Sequence, residues 1–414
     1  MNDNFLNLHI LTTTSLANQN RDDSGAPKQV TYGGSTRHRL SSQAMTRAKR
    51  IAFELSVGGD QITWRAKSGM IVMAMEMAGD LAVQQGAPLT LDDQTELTVL
   101  LSTAVNGLVI NREKALKAAQ ERVTAKKARD AKAAAKAVAE GAPVAELTED
   151  EDGGTGKKDT LVWLAEHELK TVVAKSLSTL RDGTVPTDFV NEKGRTQSLS
   201  IAAFGRMFAF RPELQNEAAV QRSHAFTTHA ADIEPDYFTA VNDLPLTADG
   251  AGAGHLDLSQ YGGGVFYWHA NIDRAQLWDT WIAGEDDAQT RDRLTAFVEA
   301  LMLALPSGKQ HTTAPKTVPD AILVVPATSP VALHQAFEKP VKATSDGYRG
   351  ASLDALLEAH GKVQAFTPRQ FGDTAHLAGT LDAKTGPQIT TQPSLDTLID
   401  VCVDWVLAGR PANT

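Results

Sequence analysis

The order in which hydrophobic periodicities follow one another limits the fold of this chain most strongly. Leu6, Leu8 and Ile10 alternate with Asn7 and His9, a period of two that marks an opening β-strand. Strand-like runs return only far downstream, at Gly262-Gly263-Gly264-Val265-Phe266-Tyr267-Trp268 and Ala321-Ile322-Leu323-Val324-Val325, with a helix expected over 294–305 between them. Residues 60–200 read as mostly helical, most clearly over 70–83 and 94–119, and 161–180 returns to helical spacing. Strand, helix, strand, helix, broken by a long helical insertion, predicts an α+β core carrying appendages. No internal repeat is visible.

Length and composition set the outer limits. The 414 residues suggest two or three domain-sized units, and the 42% hydrophobic content suffices for a core. The net charge is −10, so any polyanion-binding function needs local basic patches. The single cysteine, Cys402, excludes an intrachain disulfide framework and a cysteine-rich zinc site, and fits a reducing cytoplasm. Residues 1–11 lack a basic start and a long apolar run, so no signal peptide is expected. No stretch approaches the roughly 20 apolar residues of a membrane span. A soluble, cytoplasmic protein with no membrane partner is the expectation.

The basic, glycine-led segment 33–50 is the best-marked candidate site. Gly33 and Gly34 let backbone approach a ligand closely. Arg37 and Arg39 alternate and can face one side of an extended segment. Ser41 or Ser42 can cap a following helix, whose free N–H groups favour a phosphate. On that helix Met45, Ala48, Ala52 and Leu55 share one face, and Arg47 and Arg50 add charge on another. Several donors spaced along a backbone, without a base pocket, form a phosphate-tracking pattern. The same pattern also fits a solvated basic loop before an ordinary helix. Two further regions carry apolar side chains that can stack on bases or wedge between them: Gly205-Arg206-Met207-Phe208, and Tyr237 and Phe238 with the later Leu256. Taken singly, these four (Met207, Tyr237, Phe238, Leu256) read as core residues rather than wedges. The run Lys126-Lys127-x-Arg129-x-x-Lys132-x-x-x-Lys136 reads as a solvated helix face, and the acidic, glycine-rich stretch near 141–158 as a flexible tether.

Other chemistries lack their motifs. His224, His229, His255 and His269 follow no zinc spacing, so no metal site is expected and these residues read as structural or RNA-proximal. No Walker A or G-x-S-x-G sequence is present. Gly262-Gly263-Gly264 precedes a strand, whereas a dinucleotide loop follows one and opens a helix. No cofactor is expected.

Ordered blocks along the chain resemble the CasC-type backbone subunit of the type I-E CRISPR surveillance complex, Cascade. They are Phe5-Leu6-Asn7-Leu8-His9-Ile10-Leu11, Asn20-Arg21-Asp22-Asp23, Gly33-Gly34-x-x-Arg37-x-Arg39-Leu40-Ser41-Ser42-Gln43 and Gly205-Arg206-Met207. Thr227-Thr228-His229, Tyr237-Phe238-Thr239-Ala240-Val241-x-Asp243-Leu244, Gly264-Val265-Phe266-Tyr267 and Ala336-Phe337-Glu338-Lys339 follow. The blocks frame residues 4–345; 60–200 and the C-terminal tail match weakly.

The resemblance implies a hand-like fold: a modified RNA-recognition-motif (ferredoxin-like) palm, a helical finger insertion and a β-loop thumb. Carried over, 1–60, 200–228 and 264–414 with its tail form the palm, 60–200 the fingers and 230–263 the thumb. It implies a non-catalytic subunit that lines up with other copies of itself along a CRISPR guide RNA, beside other Cascade subunits, and meets target DNA through the guide in antiviral defence. It implicates Arg21, Lys28, Ser41, Gln43, Arg47 and Arg50 in backbone contact, and Met207, Tyr237, Phe238 and Leu256 as apolar contacts to displaced or stacked bases. Thr46 stands at a helix position that is basic in the best-known relative, so the helix lacks one phosphate-binding cation, and Lys49, about 100° from Arg50, need not replace it. The family's finger lysines touch DNA, but the 126–136 run does not align with them. The resemblance also raises an alternative: in backbone subunits of another CRISPR class an acidic palm residue cuts target RNA with a metal, and Asp22 and Asp23 lie in a comparable loop. Turn formation and pairing with Arg21 is the preferred role of these two aspartates.

Overall fold

The computed structural model describes residues 3–66, 68–140, 161–191, 194–241, 253–284, 286–372 and 374–410. In chain order the strands are β1 (Phe5–Ala17), β2 (Gln29–Tyr32), β3 (Ser35–Leu40), β4 (Thr63–Ala66), β5 (Val162–Ala165), β6 (Val220–Arg222), β7 (Ala225–Thr227), β8 (Glu234–Val241), β9 (Ala253–Asp273), β10 (Ala321–Ala327), β11 (Ala375–Gly379) and β12 (Ile389–Thr391). The helices are α1 (Ser42–Val57), α2 (Ser68–Gln84), α3 (Leu91–Asn106), α4 (Arg112–Glu140), α5 (Glu166–Ser178), α6 (Leu199–Phe204), α7 (Arg274–Thr280), α8 (Asp287–Leu303), α9 (Gln310–Thr313), α10 (Arg349–Phe366) and α11 (Leu395–Leu407). The protein is α+β, in two compact units: Met1–Val57 with Ala218–Asp279 and Ala283–Thr414, and Gly58–Glu217 with Thr280–Ile282.

The first unit is built on one sheet, ordered β12-β11-β10-β1-β9-β7-β3-β2, with β6 and β8 also paired to β9. β1 is central and antiparallel to both neighbours: Leu8 stands opposite Val324 of β10 and Ala270 of β9. The alternation in β1 reflects two different buried faces. Leu6, Leu8 and Ile10 point to one, Asn7 and His9 to the other, and all five are buried. On one side α1 and α8 pack together through Phe53 and Phe297, edge to face at 5.6 Å, and Lys49 of α1 lies over the Trp268 ring of β9. On the other side Leu11, Val265, Tyr267 and Leu323 pack against Leu333, Phe337, Leu353 and Leu356, so α10 and the 333–337 turn cover that face.

Burying Asn7 and His9 requires hydrogen-bond partners. The Asn7 amide donates to the Ser329 carbonyl, and its Oδ1 accepts from Val331 N–H and from His269 Nε2. The Tyr267 hydroxyl accepts from Leu333 N–H and lies 3.0 Å from His9 Nδ1. Burial, with His334 adding to it, pulls the His269 pKa down to about 3, and burial drives His9 well below its ordinary value, so both rings are neutral. The C-terminal segment is integral to this unit: β11 pairs with β10, and Arg291 of α8 pairs with Asp404 of α11.

The second unit is helical, with the short β4–β5 pair. Met70, Ala74 and Ala78, spaced by four along α2, pack with Leu97, Leu101 and Ala104 of α3 and Val172 and Val173 of α5. Sequence periodicity differs from this structure in two places. The helical stretch 94–119 is two helices, because α3 ends at Gly107 and α4 starts again where Asn111 Oδ1 accepts from Glu113 N–H. The stretch 161–180 begins as β5, whose four residues are all buried, before α5 starts. Residues 200–217, expected with the palm, group with the helical unit. The acidic stretch 141–158 lies outside the described residues.

Candidate nucleic-acid interface

Segment 33–50 folds as a hairpin leading into a helix. Tyr32 and Ser35 pair across the two-residue loop Gly33-Gly34, both with positive φ (58° and 74°), as a twisted hairpin requires. A Cβ on Gly33 would stand 1.6 Å from the Glu338 carbonyl oxygen. The close approach expected of this glycine is therefore to the protein's own backbone, not to a ligand. Arg37 corrects the sequence reading in the same way. It is fully buried, donating to the carbonyls of Thr227, Phe337 and Glu338, so it ties β3 to the sheet and to the 333–337 turn. Arg39, two residues on, is half-buried.

At the start of α1, Ser41 is the residue that caps: its Oγ accepts from Ala44 N–H. The buried positions on α1 are Met45, Lys49, Phe53 and Glu54, while Leu55 is 79% exposed. The apolar row expected through Ala48, Ala52 and Leu55 is thus rotated, because the Lys49 stem takes the core position. Its ammonium donates to the Leu301 and Ala304 carbonyls at the end of α8, 3.8 Å above Trp268, and burial holds its pKa well below the usual lysine range. Lys49 faces away from any ligand. Gln43 and Arg47, one turn apart, are exposed on the outer face. Arg50 is half-buried and paired with Glu54 at 2.9 Å.

The loop before β2 brings two further cations to this helix start. Asn20 Oδ1 accepts from Ser41 N–H, Lys28 N–H donates to the Asn20 carbonyl, and Arg39 N–H donates to the Lys28 carbonyl. Arg21 is exposed beside Asn20, and Lys28 lines a cavity of about 20 Å³ with Asn20, His38 and Arg39. Asp22 closes this loop. Its Oδ1 accepts from Ser24 N–H, Ser24 Oγ and Ala26 N–H, and the Ser24 hydroxyl first of all holds its carboxyl below the usual range. Asp23 is exposed.

Arg21, Lys28, Ser41, Gln43, Arg47 and Arg50 therefore lie in one unit around the first turns of α1. Two residues from β6 and its turn join them: Arg222, which sequence reasoning missed, and His224, which it read as structural or RNA-proximal. His224 Nδ1 accepts from Ser42 N–H, and Arg39 and Lys28, after burial, lower its pKa. Arg222 donates to Thr46 Oγ1. No local pattern in the sequence marks this pairing. His229 and His269 are packed inside, and His255's side chain lies outside the described residues. Among the described residues no cluster of His, Cys, Asp and Glu could hold a metal ion.

The apolar candidates occupy two other places. Tyr237 and Phe238 lie on β8, paired with Leu258 and Asp257 of β9, and as strand neighbours they point to opposite faces of this ribbon. Tyr237 is 72% exposed, and Leu258 opposite it is exposed too, an apolar partner the sequence reading passed over. Leu256 stands opposite Thr239; its side chain lies outside the described residues. Met207, in the helical unit, is 78% exposed for a local reason. Before it, Arg206 makes a buried two-pronged pair with Glu168 at 2.6 and 2.9 Å; after it, Phe208 enters the helical core. With both neighbours held inside, Met207 projects. Phe210, three residues on, is exposed as well. On α4, Lys126, Lys127, Arg129 and Lys132 are exposed, and Lys136's side chain lies outside the described residues.

The Ser41, Ser42 and Ala44 N–H groups, expected free for a phosphate, are taken by Asn20, His224 and Ser41, so the cations and the Gln43 amide around the helix start supply the chemistry of a polyanion site. A family model described as CT1975-like protein matches residues 6–401, and the chain belongs to that family. A solved chain titled "CRISPR RNA-guided surveillance complex, pre-nicking" is 25% identical with a TM-score of 0.71, over 97% of this chain and 100% of that one. A chain titled "CRISPR RNA-guided surveillance complex", 22% identical with a TM-score of 0.56 over 97% and 99%, shares the fold. No curated protein matches. The resemblance to CasC-type backbone subunits read from the residues is borne out by these matches. Among the described residues no helix is long and apolar enough to cross a membrane.

Proposed function

We propose that this chain is a backbone subunit of an RNA-guided CRISPR surveillance complex of type I-E, gripping the guide RNA by its phosphates. The observation that carries the reading is the placement of Lys28, Gln43 and Arg47 at the capped start of α1, with Arg21 exposed on the loop tied to it through Asn20. Membership of the CT1975-like family and likeness to chains of RNA-guided surveillance complexes support it. The succession β1–α1–β7–β9–α8–β10, with sheet order β10-β1-β9-β7 and antiparallel neighbours, supports a palm of the RNA-recognition-motif type. The ligand face usual for such sheets is covered here by α10, so contact is assigned to the helix start and the edges. Copies line up along the guide. The β8–β9 ribbon serves as the thumb, with Tyr237, Phe238 and Leu256 displacing or stacking guide bases, and Met207 stacks from the finger unit. Target DNA is met through the guide, with other Cascade subunits alongside, in the cytoplasm.

The reading is non-catalytic. Three loop donors on Asp22 Oδ1 support a loop-closing role for this carboxylate over metal-assisted cutting of target RNA with Asp23. Assembled complex given complementary RNA and magnesium should leave that RNA whole. Cutting that is lost in Asp22→Ala or Asp23→Ala would replace this reading with a nuclease. The direct test of the grip is the affinity of Arg47→Ala and Arg50→Ala for guides of unrelated spacer sequence. Loss should be equal across spacers, and a strong spacer dependence would contradict phosphate tracking.

A further inference from the structure

Ser42, Thr46 and Arg50 follow one another at four-residue spacing on α1 and form one row, with a single cation at its far end. The structure brings a second cation to the middle of that row from another element. Arg222, the last residue of β6, sits opposite Ala270 of β9 and sends its guanidinium to Thr46 Oγ1. The Thr46 hydroxyl donates its own proton to the Ser42 carbonyl at 2.6 Å, so its lone pairs face Arg222 as acceptor. Two residues on, His224 accepts from Ser42 N–H at 2.8 Å. One turn of chain, 222–224, thus lands on two successive turns of α1. Arg222 is half-buried and its Nη1 also donates to the Val220 carbonyl at 3.5 Å, so its head is held in place before any ligand arrives, which lowers the ordering cost of binding.

We propose that Arg222 is a guide-backbone residue, supplying from β6 the positive charge that α1 lacks at Thr46. With Arg222 in place, cations stand at Thr46 and at Arg50, about one helical turn or 5.4 Å apart, with Arg47 beside them. That spacing suits successive phosphates of an extended strand. The proposal rests on the guide-binding reading above. A purely structural Arg222 would staple β6 to α1 and touch no RNA.

The test is the salt dependence of binding between the full-length chain and a labelled single-stranded RNA of arbitrary sequence. On a single strand, a cation that no longer neutralises its phosphate lowers the slope of log affinity against log salt by about 0.7. Arg222→Gln should show that decrease, Arg222→Lys should keep most of the slope, and adding Thr46→Lys to Arg222→Gln should restore it. If Arg222→Gln lowers thermal stability while the slope stays at the wild-type value, Arg222 is a staple and the inference fails. If Arg222→Gln does not fold, the double variant is read alone: a wild-type slope, in which the new lysine replaces a lost contact, supports the inference, and a slope higher by about 0.7, in which it only adds one, overturns it. Arg47→Ala separates the two claims. A lowered slope for Arg47→Ala with none for Arg222→Gln sinks only the Arg222 role, whereas no change in either sinks the guide-binding reading itself.

Discussion

Arg37 and Arg47 carry the same charge in opposite surroundings. Arg37 donates inward to three carbonyls, and Arg47 reaches solvent from the outer face of α1. Arg37→Met should leave those carbonyls short of a donor and destabilise the first unit by about 1–3 kcal/mol, seen as a lower urea midpoint. Arg47→Ala should leave the midpoint alone and reduce the salt slope of RNA binding by about 0.7. An exchange of the two phenotypes would show that the roles are misassigned. Lys49 belongs with Arg37: its charge ends on α8 carbonyls, so Lys49→Met should not alter the RNA salt slope. His269 gives the residue scale a pH signature. In the unfolded chain it binds a proton near pH 6.5, and in the fold only near 3. Its contribution is complete above pH 6.5 and is lost as pH falls toward 3, at roughly 1.4 kcal/mol per pH unit within that window. Urea midpoints measured from pH 7 to 4.5 should fall accordingly, and His269→Gln should lessen the fall, leaving the part that belongs to His9. A flat wild-type curve would mean that the Asn7–His269 network stays closed when protonated.

Among elements, the β2–β3 hairpin and the β8–β9 ribbon separate packing from ligand contact. Gly33→Ala would drive a methyl group into the Glu338 carbonyl, whereas Gly34 has open space and only its positive φ to satisfy. Gly34→Ala should therefore cost about 1 kcal/mol and Gly33→Ala clearly more, as read by thermal unfolding. Equal costs would mean the turn can lift from Glu338. On the ribbon, Tyr237→Ala should weaken stacking by about 1–3 kcal/mol per base and change the pattern of displaced guide bases under chemical probing. An unchanged pattern would remove Tyr237 from the thumb. The strands at 6–10, 262–268 and 321–325 were legible because period and apolar runs are local signals. The phase of α1 was not, since a lysine stem stands where an apolar residue was expected. The break at Gly107 was not either, because continuous apolar spacing concealed it. The cations of the helix start were legible one by one. Their sorting into buried Arg37 and Lys49 and outward Arg47 was not, because it depends on partners 190 and 252 residues away in sequence. Arg222 was invisible for the same reason: its partner Thr46 is 176 residues distant.

At the scale of the whole molecule, a chain of net charge −10 grips a polyanion only by concentrating its cations locally. Among the described residues helices pack on both faces of the sheet, and on the proposed function the helix start, the ribbon and the Met207 loop meet the guide. A scaffold that bound only protein would have no use for that division. Guide RNA is, on the proposed function, the thread on which copies assemble. The decisive experiment purifies the full-length chain expressed with a guide RNA and records absorbance ratio and molar mass before and after ribonuclease. Nucleic-acid absorbance in a multi-copy particle that shrinks on digestion is the expected result. A protein that carries no RNA and keeps its oligomeric state after ribonuclease would contradict the threading role.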